Sequence, residues 1–152
     1  MPEKPRFRDV AVNRRAYHDY FIDETWEAGL VLAGTEVKSL RAGRANLREG
    51  FVRVDGHEAW LENVHISTYE QGGYTNHEPI RPRKLLLHAE EIASLIGKVK
   101  QRGYTLIPIR LYFARNRAKV EIGLGRGKKL YDKRQALAAA DAKREMARAL
   151  RG

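Results

Sequence analysis

Residue types that often perform catalysis or bind metals occur in this sequence, but not at the spacings that such chemistry requires. There are no cysteines, which excludes a disulfide framework, a thiolate metal site and a thiol nucleophile. The five histidines show no metal-ligand spacing such as HxxxH, and we expect each to be a surface or turn residue. They are His18, His57, His65, His77 and His88. We therefore expect no metal and no cofactor.

A glycine-rich run near the end of the chain superficially resembles a phosphate-binding loop. Residues 123–129 read GLGRGKK, but Ile122 stands where the motif GxxxxGK[ST] needs its first glycine, and Lys129 where it needs Ser or Thr. We therefore predict a flexible hinge at this run. No GxSxG nucleophile motif occurs, and carboxylates such as Glu24, Glu27 and Glu62 belong to no recognisable acid–base framework. The chain is predicted to act by binding and not as an enzyme.

The charge of the chain indicates what it binds. Its 152 residues, enough for one domain with a tail, carry 29 Lys and Arg against 19 Asp and Glu, a net charge of +10. The excess lies at the two ends, because residues 1–15 carry +3 and residues 126–152 carry +6. Such a surplus points to a polyanion, either nucleic acid or an anionic membrane surface. A basic protein with no such partner is the alternative.

Two further patterns favour nucleic acid over a membrane surface as the partner of this chain. Aromatic residues are interleaved with Arg and Lys, as expected where rings stack on bases and cations contact phosphates, although the core of a small barrel also needs aromatics. No apolar run approaches the roughly 18 residues of a membrane span, and no secretory signal is recognised. A cytoplasmic protein without a membrane partner is therefore expected.

The apolar pattern predicts about six short strands and two helices. Strands are predicted at 17–32 (one long strand or two short ones, with a helix as the rival), 50–54, 58–66, 104–114 and 118–124, and helices at 35–43 and 89–102. Asp55-Gly56 is a strong hairpin signal, and a second hairpin turns at 115–117. Residues 1–12 are predicted to be a loose arm and residues 69–84 a loop.

Three residues are predicted to have particular roles within these elements. Thr35 is predicted to cap the first helix, and Gly29 to allow a bend or bulge in the first strand. Pro108 cannot donate a hydrogen bond to a neighbouring strand, so it is predicted to lie at an edge or a bulge.

The order of the elements predicts the fold class. Strands do not alternate with helices, which argues against a parallel doubly wound sheet. A mainly β fold follows: a small antiparallel barrel of the oligonucleotide-binding type, with about six strands, two or three inserted helices and a basic C-terminal tail. The predicted organisation is a basic N-terminal arm (1–14), the barrel (15–125) and the tail (126–152).

The tail combines high helix propensity with little apolar surface. Residues 135–150 are nearly all strong helix formers, but their thin apolar face consists of Ala139, Ala142, Met146 and Leu150. An isolated helix of this length is marginal in water, and so small an apolar area cannot hold it firmly on a core. The tail is therefore predicted to be disordered when free and helical on an acidic partner surface. A terminal helix packed on the barrel is the alternative.

Five segments, in order along the chain, resemble the small protein B family, the tmRNA-binding proteins of bacterial trans-translation. They are NRRA (13–16), WEAGL (26–30), GTEVKSLRAG (34–43), RKLLL (83–87) and GKKLYDKR (127–134). The resemblance runs from about Asn13 to the C-terminus, and GTEVKSLRAG is its most specific segment. The chain departs from the family near its end, where Glu145 precedes Met146 in a place often held by an aliphatic residue.

The resemblance implies a protein that holds the tRNA-like domain of tmRNA and delivers it, with elongation factor Tu and aminoacyl-tmRNA, to ribosomes stalled without a codon. The barrel would stand in for the anticodon arm, while the tail senses the empty mRNA channel beside the small-subunit decoding centre. A ribosomal protein, or a general single-stranded RNA-binding module of the same barrel type, is the alternative. An RNA-modifying or RNA-cleaving enzyme is a further rival.

The resemblance also assigns residues to two surfaces. Those implied to bind tmRNA are Asn13, Arg14, Arg15, His18, Glu27, Lys38, Arg41, Arg83, Lys84 and Leu86. Those implied to act in the decoding centre and the mRNA channel are Lys128, Lys129, Tyr131, Asp132, Lys133, Arg134, Lys143, Met146 and Arg148. The ring of Tyr131 would stack on a decoding-centre base.

Overall fold

The computed structural model describes residues 7–69, 76–101 and 103–128, which form a mainly antiparallel β structure. The strands are β1 (Phe7–Val12), β2 (Tyr20–Leu30), β3 (Ala45–Asn46), β4 (Phe51–Asp55), β5 (Glu58–Glu62), β6 (His65–Ile66), β7 (Arg83–Leu86), β8 (Tyr104–Ala114) and β9 (Arg117–Gly127). The helices are α1 (Ala16–Asp19), α2 (Gly34–Arg41) and α3 (Ala89–Val99). No helix in this part of the chain is long and apolar enough to cross a membrane.

Seven strands form one sheet in the order β1-β8-β9-β2-β7-β5-β4, and β3 pairs with β6. The sheet curls into a barrel because β4, at one edge, comes back against β8 near the other edge. The predicted fold class, a mainly β antiparallel barrel, is confirmed. The strands are more numerous than predicted, because β1, β3 and β7 were not expected and the stretch 58–66 is divided into β5 and β6 at Asn63 (φ 57°).

The barrel interior is filled by aliphatic side chains. Leu61, Leu111 and Ile122, from β5, β8 and β9, have no exposed surface. Strand β8 is buried along most of its length, since Ala16 of α1 packs against Ile107 in a second, smaller cluster. The sheet is thus covered on both faces here, which explains the nearly continuous apolar run of β8.

Both predicted hairpins are confirmed. Asp55 pairs with Glu58, so Gly56 (φ 59°) is the first residue of a two-residue turn between β4 and β5. Between β8 and β9 the turn consists of Arg115 and Asn116 only, both with positive φ (50° and 66°). Positive φ at both central positions matches the right-handed twist of the flanking strands.

Register shifts occur in three strand pairs, one of them between Asp9 and Ala11 of β1. The register of β8 against β9 shifts between Pro108 and Arg110, so the bulge predicted at Pro108 is confirmed. In β2 the register shifts around Asp23, between its two neighbours, whereas Gly29 pairs regularly with both adjacent strands. The bulge predicted at Gly29 is therefore wrong.

Residues 7–12 belong to the sheet and not to a loose N-terminal arm. Residues 7–12 form β1, which pairs along β8, so the expectation of a loose arm over residues 1–12 is wrong for this stretch. Without β1 the outer edge of β8 would present a row of unpaired backbone N–H and C=O groups. The barrel therefore begins before residue 15.

The glycines near the C-terminus do not form the predicted hinge. Strand β9 continues through Gly127. A Cβ on Gly123 would lie 2.7 Å from Ile109 Cδ1, and a Cβ on Gly125 would lie 3.2 Å from the side chain of Tyr20. These two glycines permit close packing of β9 against its neighbours. The conformation predicted for the tail beyond Lys128 concerns residues outside the described ranges.

The predicted helix over 89–102 is found as α3, which ends at Val99. Its apolar stripe faces inward, where Ile92 and Leu95 are buried. The backbone N–H of His88 donates to Glu91 Oε1 (3.0 Å), which satisfies an amide that the helix itself leaves unpaired.

Helix α2 begins one residue earlier than predicted. The N–H of Ala33 donates to Glu36 Oε1 (2.8 Å), so Glu36 and not Thr35 caps this end. The Thr35 hydroxyl instead pairs with Nδ1 of His77 (2.9 Å), whose Nε2 pairs with the Ile66 carbonyl (2.9 Å). Of the two alternatives predicted for His77, a surface or a turn residue, the first is wrong, because His77 is buried in the irregular segment before β7.

Candidate nucleic-acid interface

A groove of about 600 Å³ runs over the outer face of β2, β7 and β9. Leu86 of β7 opposes Gly29 of β2, which in turn opposes Lys119 of β9, so the three residues form a row across adjacent strands. Glu27 and Lys84 lie two residues before Gly29 and Leu86 and therefore share the same face. These five residues line what we call the large groove.

Strand β7 presents alternate residues to the groove. Arg83 and Leu85 point inward and are buried, whereas Lys84 and Leu86 point outward. Leu86 is 55% exposed, and the absence of a side chain on Gly29 keeps it uncovered, since a Cβ there would lie 3.3 Å from Leu86 Cβ. Lys84 forms an ion pair with Glu58 (3.4 Å), which also lines the groove. An apolar side chain with lysines nearby in a concave surface suits a ribose or base whose phosphates contact the lysines.

Glu27 contributes a carboxylate held by a buried tyrosine. The hydroxyl of Tyr112, which is almost fully buried, donates to Glu27 Oε2. Burial raises the pKa of the Tyr112 phenol and the hydrogen bond to Glu27 raises it further, so the phenol remains a donor near neutral pH. The Oε1 atom of Glu27 accepts no hydrogen bond from any described residue. This atom can accept one from the amino group of a base.

A smaller groove, of about 270 Å³, lies at the end of β1 and is lined by Val12, Asn13, Arg14, Arg15, Asn46 and Arg48. Arg14 and Arg15 are exposed and form no ion pair with any described residue. Asn13 is only 9% exposed, and its amide donates to the Pro108 carbonyl (3.0 Å). We therefore assign Asn13 to holding the turn that presents the two arginines, not to the direct RNA contact that the resemblance implies. His18, in α1, is exposed.

Lys38 and Arg41 lie on the exposed face of α2. Lys38 Nζ is 5.2 Å from the ring centroid of Tyr69, and the Arg41 guanidinium carbon is 5.0 Å from that of Phe113. Phe113 lines a further depression that shares Gly29, Leu86 and Lys119 with the large groove, so Arg41 lies beside that depression. Lys38 lines neither the large groove nor this depression.

The structure contradicts the expectation that Arg83 contacts RNA. Its side chain has no exposed surface, and Nε donates to Glu36 Oε2 (2.5 Å). The two terminal nitrogens donate to the carbonyls of Val64 (2.6 Å) and Pro79 (3.0 Å). Since its donors are used inside the protein, Arg83 has a structural role.

Glu36 is the acidic partner in this interior network. Burial by itself would raise its pKa, but hydrogen bonds from the Ala33 N–H, Arg81 and Arg83 outweigh that effect and hold the pKa of Glu36 below its ordinary value. The network joins the segments GTEVKSLRAG and RKLLL, because Glu36 lies in α2 and Arg83 in β7. It thereby fixes the strand that presents Leu86.

Sequence reasoning missed Lys119, which lines the large groove, and the role of Tyr112 behind it. Lys119 forms no ion pair with any described residue, and Tyr112 holds Glu27. Only the register of β9 places Lys119 opposite Gly29, so no local pattern could have identified it. Within the described residues, no group of three His, Asp or Glu could hold a metal ion.

Comparison with known proteins shows what this chain is similar to. A family model described as "SmpB protein" matches residues 10–152. The "SsrA-binding protein" of Roseiflexus castenholzii is 62% identical over 145 residues, covering 95% of this chain and 92% of that protein. That of Desulforudis audaxviator is 60% identical over 152 residues, covering 100% and 99%.

The chain belongs to the SmpB protein family. A solved structure described as "tmRNA-SmpB: a journey to the center of the bacterial ribosome" contains a chain 55% identical to this one. The two superpose with a TM-score of 0.67 over 78% of this chain and 83% of the other. The resemblance carried by the five segments is thus confirmed.

Of the nine residues assigned to the decoding centre and mRNA channel, only Lys128 is described in this SmpB family member. Its Nζ donates to the Tyr17 carbonyl (2.8 Å) and lies 5.2 Å from the ring centroid of Phe21. The other eight lie outside the described residues: Lys129, Tyr131, Asp132, Lys133, Arg134, Lys143, Met146 and Arg148.

Proposed function

We propose that this chain binds tmRNA, also called SsrA RNA, and brings it to stalled ribosomes for peptide tagging and ribosome rescue by trans-translation. The observation that carries the proposal is the large groove, where exposed Leu86 lies two residues from Lys84 on β7 and in one row with Lys119 of β9, across Gly29 of β2. Relatives about 60% identical over nearly the whole chain, which are SsrA-binding proteins, support it.

Four residues of the large groove supply three kinds of contact in this proposal. The ammonium group of Lys119 attracts phosphate, and that of Lys84 does so by exchanging its ion pair with Glu58; these contacts supply affinity and register. Leu86 packs against a ribose or a base exposed by the folded RNA. Glu27, oriented by Tyr112, accepts a hydrogen bond from a base amino group and so contributes selectivity.

The finer steps of the proposal divide the chain into two working parts. The barrel holds the tRNA-like domain and occupies the place of an anticodon arm, in the cytoplasm and together with elongation factor Tu carrying aminoacyl-tmRNA. The segment after Lys128 enters the mRNA channel beside the decoding centre when no mRNA is there. The +6 charge of residues 126–152 supports this step, because ribosomal RNA presents phosphates.

We expect Leu86→Asp to weaken tmRNA binding about tenfold or more, since a carboxylate replaces apolar contact and repels phosphate. Filter binding with transcribed tmRNA measures the affinity, and sequencing of co-purified RNA measures whether tmRNA is retained. Ile80→Asp is the matched control, because Ile80 is 56% exposed and lies outside the large groove. Equal losses in both variants would contradict the assignment of the groove.

The salt dependence of binding tests the phosphate contacts. Lys119→Gln is expected to reduce the slope of log K against log [salt] by about 0.7–0.9, the value for one phosphate contact. Lys100→Gln, an exposed lysine at the far end of α3, is the control and should leave the slope unchanged. An unchanged slope in Lys119→Gln would remove this residue from the contact surface.

A further inference from the structure

The chain leaves the barrel through a cluster of aromatic and charged side chains. Arg126, at the end of β9, opposes Phe21 of β2 on one side and Tyr104 of β8 on the other. Its guanidinium carbon lies 5.6 Å from the ring centroid of Phe21 and 5.9 Å from that of Tyr104. The last arginine of the sheet is therefore flanked by two rings at cation–π distances.

Asp23 joins this cluster from the bulge in β2. Its Oδ2 accepts hydrogen bonds from the Tyr104 hydroxyl (2.9 Å) and from Arg126 Nε (3.1 Å), and its Oδ1 accepts one from Arg126 Nη2 (3.4 Å). A guanidinium held by two donors on one carboxylate has a defined orientation as well as a defined position. Bulges commonly redirect a side chain in this way.

The residues that follow Arg126 are held as well. Lys128 donates to the backbone carbonyl of Tyr17 in α1 and lies over the ring of Phe21. Elements α1, β2 and β8 thus constrain the chain over its last three described residues. The direction of the backbone at Lys128 determines the direction in which the following 24 residues start.

We propose that Asp23 is a positioning residue that, through Arg126, sets the direction in which the chain leaves the barrel. The proposal rests on the proposed function, in which the segment after Lys128 must enter a channel while the barrel is held elsewhere. A fixed starting direction lowers the entropy lost when that segment becomes ordered on its target. Isolated ion pairs of this exposure contribute little to stability, so the effect is expected on geometry and not on folding.

Electron–electron distance measurements between two spin labels test the proposal directly. The chain has no cysteines, so Ser94→Cys on the exposed face of α3 and Lys129→Cys provide two unique labelling sites. With wild-type Asp23 we expect a narrow distance distribution, and with Asp23→Asn the loss of that narrow peak. Asp23→Glu, which keeps the carboxylate, is expected to restore it.

Glu24→Gln is the matched control. Glu24 is the next residue on β2, and its ion pair goes to Lys98 of α3 and not to Arg126. The same loss of one charge there should leave the distance distribution unchanged. Thermal unfolding followed by circular dichroism verifies that every variant is folded.

Tagging by the unlabelled variants separates this proposal from the proposed function. Asp23→Asn is expected to bind tmRNA normally and to tag about tenfold less efficiently. If its distance distribution stays narrow, the role of Asp23 is overturned whatever the tagging result. If the distribution broadens and tagging is unaffected, Asp23 does set the direction, and the task proposed for the segment after Lys128 is wrong.

Discussion

Deleting residues 129–152 is expected to abolish peptide tagging while leaving the affinity for tmRNA within about threefold of the full chain. All residues that line the large groove precede the deletion, and the whole described sheet remains. Lys128 is retained because it donates to the Tyr17 carbonyl at the chain exit. The cations removed contribute only long-range attraction to the RNA in free solution.

The measurement is translation in vitro of an mRNA without a stop codon, with tagged peptide and tmRNA affinity determined on the same preparation. A full-length chain in which residues 129–152 are shuffled is the control, since it keeps their composition and charge. Normal tagging by the truncated chain would contradict the role proposed for this segment. Loss of tmRNA binding would instead move part of the binding surface into it.

Glu36→Gln is expected to lower the free energy of unfolding by about 3–5 kcal/mol, because it leaves the fully buried Arg83 guanidinium without its counter-charge. Such a loss is a large part of the 5–15 kcal/mol that holds a typical domain together. The midpoint of urea unfolding measures the change, provided that the dependence on urea is unaltered. Glu24→Gln, which removes an exposed ion pair, should cost about 1 kcal/mol or less.

A double variant distinguishes loss of charge balance from loss of packing. Glu36→Leu combined with Arg83→Met replaces the buried pair by apolar groups and is expected to be more stable than Glu36→Gln. If the double variant is no more stable, the uncompensated charge of Arg83 is not the cause of the destabilisation.

The same network gives the stability a defined dependence on pH. The pKa of Glu36 is lower in the folded protein than its ordinary value of 4.5, so the unfolded chain binds the proton more readily. The stabilisation is therefore fully present above pH 4.5 and is lost as the pH falls through the folded-state pKa. The difference between wild type and Glu36→Gln should shrink in that acidic range, and a constant difference from neutral to acidic pH would contradict this origin.

Features that depend on a few neighbouring residues were predictable from the sequence. The hairpin at Asp55-Gly56 was found as predicted, because a glycine with positive φ is required locally. Helix α3 follows from the spacing of Ile92 and Leu95, and the bulge at Pro108 from its missing N–H. The family segments, GTEVKSLRAG above all, are likewise short runs of neighbouring residues, and they led to the correct family.

Strand pairing decided which residues of those segments are buried and which are exposed. Arg83 and Lys84 are adjacent cations in one segment, yet Arg83 is buried on Glu36 and Lys84 is exposed in the large groove. Lys119 and Glu27 come from regions that no local pattern connects, and the register of β2 and β9 places them on one face. Charges and motifs can be recognised in the sequence itself. Burial and spatial neighbours depend on hydrogen bonds between strands far apart in sequence, so only the tertiary structure could assign them.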